Sequence, residues 1–208
     1  MKLLLLGATG GIGIELVRQA IERGHTVTAF VRSRQALAPY SARTTILQGD
    51  LLESSRLAHA IAGHDAVLSA FGPRLPIAGS DAHLLRNFAS VLVTAMQQAL
   101  VPRAVVVSTA FLFKDALLPP AYLFGRLFFP GVVADATGME ETLRACGLDI
   151  TIVRPPQLTD KPHTRRFRVR DGHLPPFGFS IPRADVADFM LQVAENNLFH
   201  QTVVGVAS

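Results

Sequence analysis

The sequence lacks most of the features that mark a secreted, membrane-spanning or disordered protein. Its 208 residues include one cysteine, Cys146, so no disulfide framework can form within the chain. No apolar run reaches the roughly 18 uninterrupted residues of a membrane-spanning helix. Charged residues make up only 17% of the chain and apolar residues 49%, a composition typical of a compact globular protein rather than a disordered one. We therefore expect a folded cytoplasmic protein with no membrane span.

The chain also has little excess of positive over negative charge. The net charge of +4 is too small to indicate a nucleic-acid-binding protein, so no nucleic-acid partner is expected. The seven histidines are scattered along the chain without the spacing of metal ligands, and we interpret them as surface or loop residues. The sequence therefore predicts no bound metal.

What the chain does have is a regular alternation of apolar strand-like runs and helical stretches. The predicted strands are Lys2–Leu6, Thr26–Val31, Thr44–Gln48, Ala66–Phe71, Ala104–Ser108, Ile150–Arg154 and Thr202–Val206. The predicted helices are Ile12–Arg23, Ser54–Ala62, Ala82–Leu100, Val133–Cys146 and Arg183–Glu195. The strands are rich in Val, Ile and Leu on both faces, as in a covered parallel sheet. This pattern predicts a single α/β domain over residues 1–208, a Rossmann-like doubly wound parallel sheet with helices on both faces.

The first residues, MKLLLLGATGGIGIELV, admit two interpretations. A lysine and four leucines could begin a secretory signal, but Leu3–Leu6 is only as long as a strand. The run leads into a glycine-rich loop and then a helix, and in that context glycines let the backbone approach a pyrophosphate at the helix N-terminus. We therefore predict a dinucleotide-binding loop rather than a cleaved signal. Its cofactor-binding residues are Gly7, Thr9, Gly10, Gly11, Ile12 and Gly13.

The end of the second predicted strand indicates which dinucleotide this loop would bind. In such folds a carboxylate about 20 residues past the loop binds the ribose of NAD, whereas an arginine there accommodates the 2′-phosphate of NADP. This strand ends in Phe30-Val31-Arg32-Ser33-Arg34, without a carboxylate. Arg32 can stack on the adenine and pair with the phosphate, and Ser33 or Arg34 can add donors. The expected cofactor is therefore NADP(H), held by Arg32 and Ser33.

Several motifs together resemble one known family. GATGGIG, FVR, QGD and the helix–strand unit GLDITIVRPP are similar to those of atypical short-chain dehydrogenases/reductases. Within that superfamily the chain resembles the small NAD(P)H-binding proteins typified by biliverdin IX beta reductase, also called NADPH-dependent flavin reductase. The likeness covers nearly the whole chain and is strongest in the cofactor half and in Val106–Leu112. It implies an NAD(P)H-dependent oxidoreductase.

The resemblance also implies roles for loop residues that follow the third and fourth strands. Asp50 and Leu51 would hold the adenine, with the adenine amino group donating to the carboxylate. The alternative for Asp50 is a helix N-cap, a position for which Ser54 is better placed. Three further residues would pass beside the ribose and phosphates of the cofactor: Ala70, Phe71 and Gly72.

At the nicotinamide end the resemblance points to two segments of the chain. One is the hydroxyl pair Ser108 and Thr109, and the other is the double proline Pro155-Pro156 with the polar residue that follows it. The family often has histidine at that last position, where this chain has Gln157. A glutamine can hydrogen-bond the carboxamide or the substrate but cannot act as an acid near neutral pH. This departure argues against a tetrapyrrole substrate more than it argues against the NADP(H) cofactor.

One scheme takes the proton for reduction from a tyrosine. In the broader superfamily a serine polarises a carbonyl, and a tyrosine with a lysine four residues later delivers the proton. Ser108 and Thr109 supply candidate hydroxyls here, and Tyr122 with Arg126 follows at a suitable distance along the chain. An arginine would lower the tyrosine pKa only as a fixed charge. On this scheme the catalytic residues are Thr109, Ser108 and Tyr122.

A second alignment leads to a different proton source. Counted back from Arg154, the tyrosine and lysine positions fall at Val132 and Ala136, so the proton-donating pair is absent. The biliverdin-reductase-like group needs no such tyrosine, because its hydride passes to a planar acceptor stacked on the nicotinamide and protons can come from solvent. The two alignments remain alternatives at this point.

Two segments, about 111–133 and 155–181, are expected on the substrate side. Leu117–Val133 is apolar and is either a buried connection, a dimer surface or a lid over an aromatic ligand. The aromatic residues of that lid would be Phe124, Phe128 and Phe129. In Arg165–Arg170 a period of two places arginines on one face, which predicts a charged edge strand. The alternative is a binding face for a flavin phosphate or for propionates of the substrate. An RNA platform is not expected, because it would need aromatic residues on the same face as the arginines, and this face has none.

These observations predict an NADPH-dependent reductase that transfers hydride to a planar, conjugated acceptor, such as a flavin, a quinone or a tetrapyrrole-like molecule. The acceptor can be anionic, and the protein is expected to be a monomer or a homodimer. One alternative is a non-catalytic NADP(H)-sensing regulator of the NmrA type. The other is a ketoreductase or epimerase that uses Thr109 and Tyr122.

Overall fold

The computed structural model describes residues 1–72, 83–112, 127 and 130–208. Its strands are β1 (Lys2–Leu6), β2 (Thr26–Val31), β3 (Thr45–Gln48), β4 (Ala66–Ser69), β5 (Arg103–Val107), β6 (Asp149–Arg154), β7 (Gln157–Thr159), β8 (Arg168–Asp171), β9 (Ser180–Pro182) and β10 (Val203–Ala207). Its α-helices are α1 (Gly11–Glu22), α2 (Ser54–Ile61), α3 (Leu84–Ala99), α4 (Pro130–Ala145) and α5 (Arg183–Glu195). Short 3-10 helices cover Gln35–Tyr40 and Ala110–Leu112.

The strands form one large sheet and one small one. The large sheet has eight strands in the order β3-β2-β1-β4-β5-β6-β10-β8, and β7 pairs with β9 in a separate two-stranded sheet. Neighbouring strands of the large sheet are parallel except at its edge, where β8 runs antiparallel to β10. The strand order reverses between β1 and β4, which is the point where open α/β sheets bind their ligands. The predicted doubly wound α/β fold is confirmed.

The leucines of β1 explain why this strand lies in the middle of the sheet. Leu3, Leu4, Leu5 and Leu6 are all completely buried. Leu3 and Leu5 pack in one core cluster with residues of α1 and α5, whereas Leu4 and Leu6 pack on the opposite face with α2, α3 and α4. A strand that is apolar on both faces requires such a layer of helices on each side. The opening residues are therefore a central element of the fold, and among the described helices none is both long and apolar enough to cross a bilayer.

Strand ends differ from the predicted ones where the chain approaches the reversal point. β4 ends at Ser69 and β5 at Val107, so Ala70, Phe71 and Ser108 lie in loops beyond the sheet. The predicted charged edge strand is confirmed, although it begins at Arg168, and its partner is β10. Phe167, which precedes it, turns inward and packs edge-on against Phe189 of α5 at 5.8 Å.

Helix α1 lies very close to the end of β1. A β-carbon built at Gly13 would come 2.1 Å from the carbonyl oxygen of Gly7 and 2.7 Å from the Cα of Ala8. Both of those atoms belong to the backbone, so they cannot move aside as a side chain would. Only glycine fits at this position, and its close contact places the helix N-terminus directly over the end of the strand.

Replacing Gly13 by alanine should therefore destabilise the fold. We expect Gly13→Ala to lower the free energy of unfolding by about 1–3 kcal/mol, the usual cost of overpacking a core, as measured by urea denaturation. Gly131→Ala is the matched control, because a β-carbon at that helical glycine would meet nothing within 4 Å. The control should be neutral or stabilising by up to about 1 kcal/mol. Equal stability of Gly13→Ala and the wild type would contradict the close contact.

Candidate functional site

The glycine-rich loop and the end of β4 meet at the reversal point of the sheet. Gly7 has a positive φ of 70°, a conformation that larger residues rarely adopt. A β-carbon there would come 2.6 Å from the backbone carbon of Ala70 and 2.6 Å from the nitrogen of Phe71. Two predicted cofactor-binding segments, the loop and residues 70–72, are thus in direct backbone contact. Gly72 is exposed, whereas the Phe71 ring packs on Phe88 with centroids 4.7 Å apart.

The N-terminus of α1 has the backbone features of an anion-binding site. Gly10 is its N-cap residue and has an extended backbone, and the first turn contains no acidic side chain. The Gly10 amide donates to the Gly7 oxygen at 3.0 Å, and the Ile14 amide donates to the Gly10 oxygen at 2.8 Å. The amides of the first turn have no partner within the helix and are available to phosphate oxygens. A β-carbon at Gly10 would meet only the Gly7 oxygen, at 3.4 Å, so the space in front of the loop is open.

An open cleft of about 470 Å³ lies at the carboxyl ends of β2 and β3, where the adenine end of a dinucleotide is expected. Its lining residues are Arg32, Gln48, Gly49, Asp50 and Arg56. Gln48 donates to the Arg32 carbonyl oxygen at 2.9 Å, and one carboxylate oxygen of Asp50 accepts from the Leu52 amide at 3.0 Å. Because three of the four lining side chains are cationic or amide groups, the cleft suits an anionic ligand.

The predicted cofactor-binding residues near this cleft differ in their exposure and in the hollow that they line. Arg32 and Ser33 are exposed, whereas Leu51, which lies in the loop after β3, is buried. Arg34 lines a different hollow, next to the 3-10 helix Gln35–Tyr40. Arg34 is therefore a weaker candidate for the same ligand than Arg32.

A buried ion pair fixes the hydroxyl of Ser108. The Ser108 Oγ donates to Glu140 Oε1 at 2.5 Å, and Arg154 donates to both oxygens of Glu140 at 2.9 and 2.5 Å. The side chain of Glu140 is only 4% exposed. The Ser108 proton is therefore directed at Glu140, and the outer face of this hydroxyl can accept hydrogen bonds. In this arrangement Ser108 does not donate to a substrate carbonyl.

The remaining nicotinamide-end residues lie around the carboxyl ends of β5 and β6. The half-buried Thr109 accepts from the Phe111 amide at 3.3 Å, and the Ala110 amide donates to Pro155 at 3.1 Å. This backbone bond brings the hydroxyl pair and the double proline together. Pro156 is half-buried, whereas Gln157 is exposed and begins β7 opposite Ser180.

The predicted acid lies beyond what the structure describes. Tyr122, Arg126, Phe124, Phe128 and Phe129 fall outside the described residues, so their roles stay predictions. The two positions of the second alignment are described. Val132 is half-buried on α4, and Ala136 is packed in the core.

His163 lies in the loop before β8, where it contacts two buried carboxylates of α5. His163 lies 2.8 Å from Asp188 and 3.5 Å from Asp185, close enough for the three side chains to share a cation. Every oxygen of the two carboxylates already accepts a hydrogen bond, however. The donors besides His163 are Arg23, Gln192, Thr164 and Arg165. The cluster therefore ties loop 163–165 to α5 through hydrogen bonds within the protein.

The titration of Asp188 reflects these contacts. Burial by itself raises the pKa of this carboxyl, but hydrogen bonds from Gln192, His163 and Arg23 outweigh the burial and hold the pKa below its usual value. A carboxyl with a lowered pKa stabilises the fold above its unfolded pKa, and the effect is lost as the pH falls through the folded value. The cluster thus stabilises the fold at neutral pH.

Sequence reasoning missed three candidate residues. Glu140 and Arg56 carry no local motif, because their significance comes from chain segments that meet only in the fold. Arg183 has a local signal, since a cation at the first residue of a helix opposes the helix dipole. Its side chain lies against Gly11 at the start of α1.

Comparison with known proteins identifies the family. A family model described as NAD(P)H-binding matches residues 7–197, which is most of the chain. The chain therefore belongs to this NAD(P)H-binding family. The prediction of a nicotinamide cofactor, NAD(P)H, is confirmed.

Two curated relatives show how far the similarity extends. An uncharacterised chloroplastic protein of Arabidopsis thaliana is 33% identical over 172 residues, which is 78% of this chain and 61% of that protein. Photosystem II assembly factor Ycf39 of a Synechocystis strain is 41% identical over 71 residues, 34% of this chain and 22% of that protein. The chain thus spans about one fifth to three fifths of the length of these two relatives.

Solved structures show the same fold along the full chain. A Burkholderia pseudomallei protein described as exported has a TM-score of 0.82 at 27% identity and covers 100% of both chains. A short-chain dehydrogenase/reductase of Veillonella parvula in complex with NADP has a TM-score of 0.81 at 20% identity, over 100% of this chain and 94% of that one. ChuY, an anaerobillin reductase of Escherichia coli O157:H7, has a TM-score of 0.81 at 22% identity, over 100% and 97%.

The open space at Gly10 generates a test of the loop. Gly10→Val should abolish binding of both NADPH and NADH, because the branched side chain would occupy the space left for a pyrophosphate. The fold should remain, with a loss of about 1 kcal/mol from the poorer N-cap. Calorimetric titration and urea denaturation of the same variant measure the two effects. A variant that folds and binds either cofactor normally would show that the loop is not the phosphate site.

Proposed function

We propose that the protein is an NADPH-dependent reductase whose acceptor is a planar, conjugated molecule. The observation that carries the cofactor choice is the cleft at the end of β2, which has Arg32 and Arg56 on its walls. The second strand ends without the carboxylate that would bind the ribose of NAD. Arg56 pairs with the exposed Glu53 at 3.3 Å, and a phosphate can displace the partner of such a surface pair at little cost.

The described residues fit a dinucleotide extended across the carboxyl edge of the sheet. Asp50 and Leu51 would hold the adenine. Arg32 and Ser33 would bind the 2′-phosphate. The amides at the start of α1 would bind the pyrophosphate, with Ala70–Gly72 beside it. The nicotinamide end of the cofactor would lie against five residues: Ser108, Thr109, Pro155, Pro156 and Gln157. When bound there, the reduced nicotinamide supplies a hydride.

The chemistry of the nicotinamide end favours an acceptor that takes its proton from solvent. The Ser108 hydroxyl donates its hydrogen bond to Glu140, so it would accept a hydrogen bond from a carboxamide rather than polarise a carbonyl. Gln157 is exposed and cannot protonate a substrate. Flavins, quinones and tetrapyrrole-like molecules suit such a site because reduction spreads charge over a conjugated ring system. The segments 111–133 and 155–181 are the proposed substrate side.

One alternative has its own support. The chain's Synechocystis relative is described as an assembly factor, and Val132 and Ala136 cannot form a proton-donating pair. Both observations are compatible with an NADP(H)-binding regulator that performs no reaction. NADPH consumption with a panel of flavins, quinones and linear tetrapyrroles separates the two functions, because a regulator would bind NADPH but consume none.

The cofactor preference has a sharp test at the end of β2. Arg32→Ala should weaken NADPH binding by about 1.5–3 kcal/mol, the value of a hydrogen bond to a charged group, and leave NADH nearly unchanged. Arg34→Ala is the matched control, since Arg34 lines the neighbouring hollow rather than the cleft. Calorimetric titrations of both cofactors measure the difference. Equal losses for NADPH and NADH would mean that Arg32 does not contact the 2′-phosphate.

The proton source is tested by a pair of hydroxyl variants. On the solvent scheme Tyr122→Phe should keep a turnover number within a few-fold of wild type with a flavin, while Thr109→Val should lose more by removing a hydroxyl that orients nicotinamide or acceptor. If Tyr122 is the acid, its loss should lower turnover by about 10²–10⁴. Both variants should first be shown to bind NADPH. A collapse of Tyr122→Phe with a flavin or a simple ketone would favour the ketoreductase alternative.

A further inference from the structure

We propose that Arg183 binds the pyrophosphate of the cofactor and that Asp160 occupies this arginine when the cofactor is absent. The proposal rests on the proposed cofactor and adds to it a second cationic contact, distinct from Arg32. It predicts that one arginine discriminates between the two cofactors and the other does not.

The side chain of Arg183 lies over the start of helix α1. A β-carbon built at Gly11, the first residue of that helix, would come 2.5 Å from Arg183 Cδ and 2.8 Å from Nε. The absence of a side chain at Gly11 therefore makes the room that the arginine occupies. On the helix side, Gln19 of α1 donates to the Ala184 carbonyl oxygen at 2.8 Å, which holds the backbone beside Arg183 to α1. The arginine is thus fixed at its base to the phosphate-binding helix.

The charges around Arg183 favour an additional anion. Arg183 is the first residue of α5 and lies against the first residue of α1, so a guanidinium and the positive ends of two helices converge. The first turn of α1 has no acidic residue. The first turn of α5 has Asp185, but its carboxylate is turned to Thr164 and Arg165. This convergence matches the doubly charged pyrophosphate common to NADPH and NADH.

Asp160 explains how the arginine can be held in place without its ligand. Arg183 donates to Asp160 at 2.6 Å, and the Asp160 side chain is 89% exposed. A pair with such an exposed partner is weak, so a phosphate can displace the carboxylate at low cost. Asp160 therefore competes with the cofactor for the same guanidinium, and its removal should strengthen binding.

The experiment compares four ligands on three variants by calorimetric titration. The ligands are NADPH, NADH, ADP-ribose and adenosine 2′-monophosphate, and only the last one lacks a pyrophosphate. Arg183→Gln should weaken the first three by about ten- to hundredfold and leave the monophosphate unchanged. Asp160→Asn should tighten the same three by about two- to fivefold. Arg144→Gln, which removes an exposed arginine from α4, is the charge-matched control and should change none of them.

Two further measurements separate a binding role from a structural one. Arg183→Lys should recover part of the lost affinity, because it restores the charge without the planar donors. The thermal midpoint of ligand-free Arg183→Gln should match that of the wild type. Wild-type affinity of Arg183→Gln for ADP-ribose, or a loss confined to NADPH, would overturn this proposal while leaving the proposed function intact. A wild-type protein that binds neither cofactor would instead overturn the proposed function itself.

Discussion

The contact between Gly13 and the carbonyl oxygen of Gly7 is the constraint on which the rest of the site depends. It places the N-terminus of α1 at the end of β1, where no side chain separates the two backbones. On its other side Gly7 contacts the backbone of Ala70 and Phe71 at the end of β4. Three elements therefore converge at the point where the strand order reverses, and the first-turn amides of α1 lie at that point.

Electrostatics follow from this arrangement. Arg32 and Arg56 line the cleft at the carboxyl ends of β2 and β3, and Arg183 lies beside the start of α1. The carboxylates of Glu140 and Asp188 already have partners within the protein. Glu140 is bound to Arg154 and Ser108, and Asp188 is bound to Arg23. A site with engaged acids and accessible arginines attracts an anionic ligand. Membership of the NAD(P)H-binding family is consistent with that chemistry.

Much of this could be predicted from the sequence because its signals are local. The four leucines of β1, the glycine-rich loop and the carboxylate-free end of β2 identify the fold, the loop and Arg32 within the first 34 residues. The alternation in Arg165–Arg170 likewise predicts an edge strand. Each of these features depends on neighbours a few residues away, and strand or helix periodicity reports such neighbours directly.

The missed features arise from contacts between distant segments. Ser108 and Glu140 are 32 residues apart, and Gly11 and Arg183 meet only because α1 packs against α5. His163 carries no ligand spacing in the sequence, yet the fold brings it to Asp185 and Asp188. Tyr122 and Arg126 fall outside the described residues, so the proton donor remains a prediction from spacing alone.

Amide hydrogen exchange of the wild-type protein with and without saturating NADPH tests the central claim most directly. If the cofactor lies across the carboxyl edge of the sheet, exchange should slow at the amides of Gly11–Gly13 and in residues 49–51. Exchange in the last turn of α3, which leads into the amino end of β5 at the opposite edge of the sheet, should stay unchanged and serves as the internal reference. Binding of NADPH without protection at the start of α1 would contradict the account, because the pyrophosphate would then lie elsewhere.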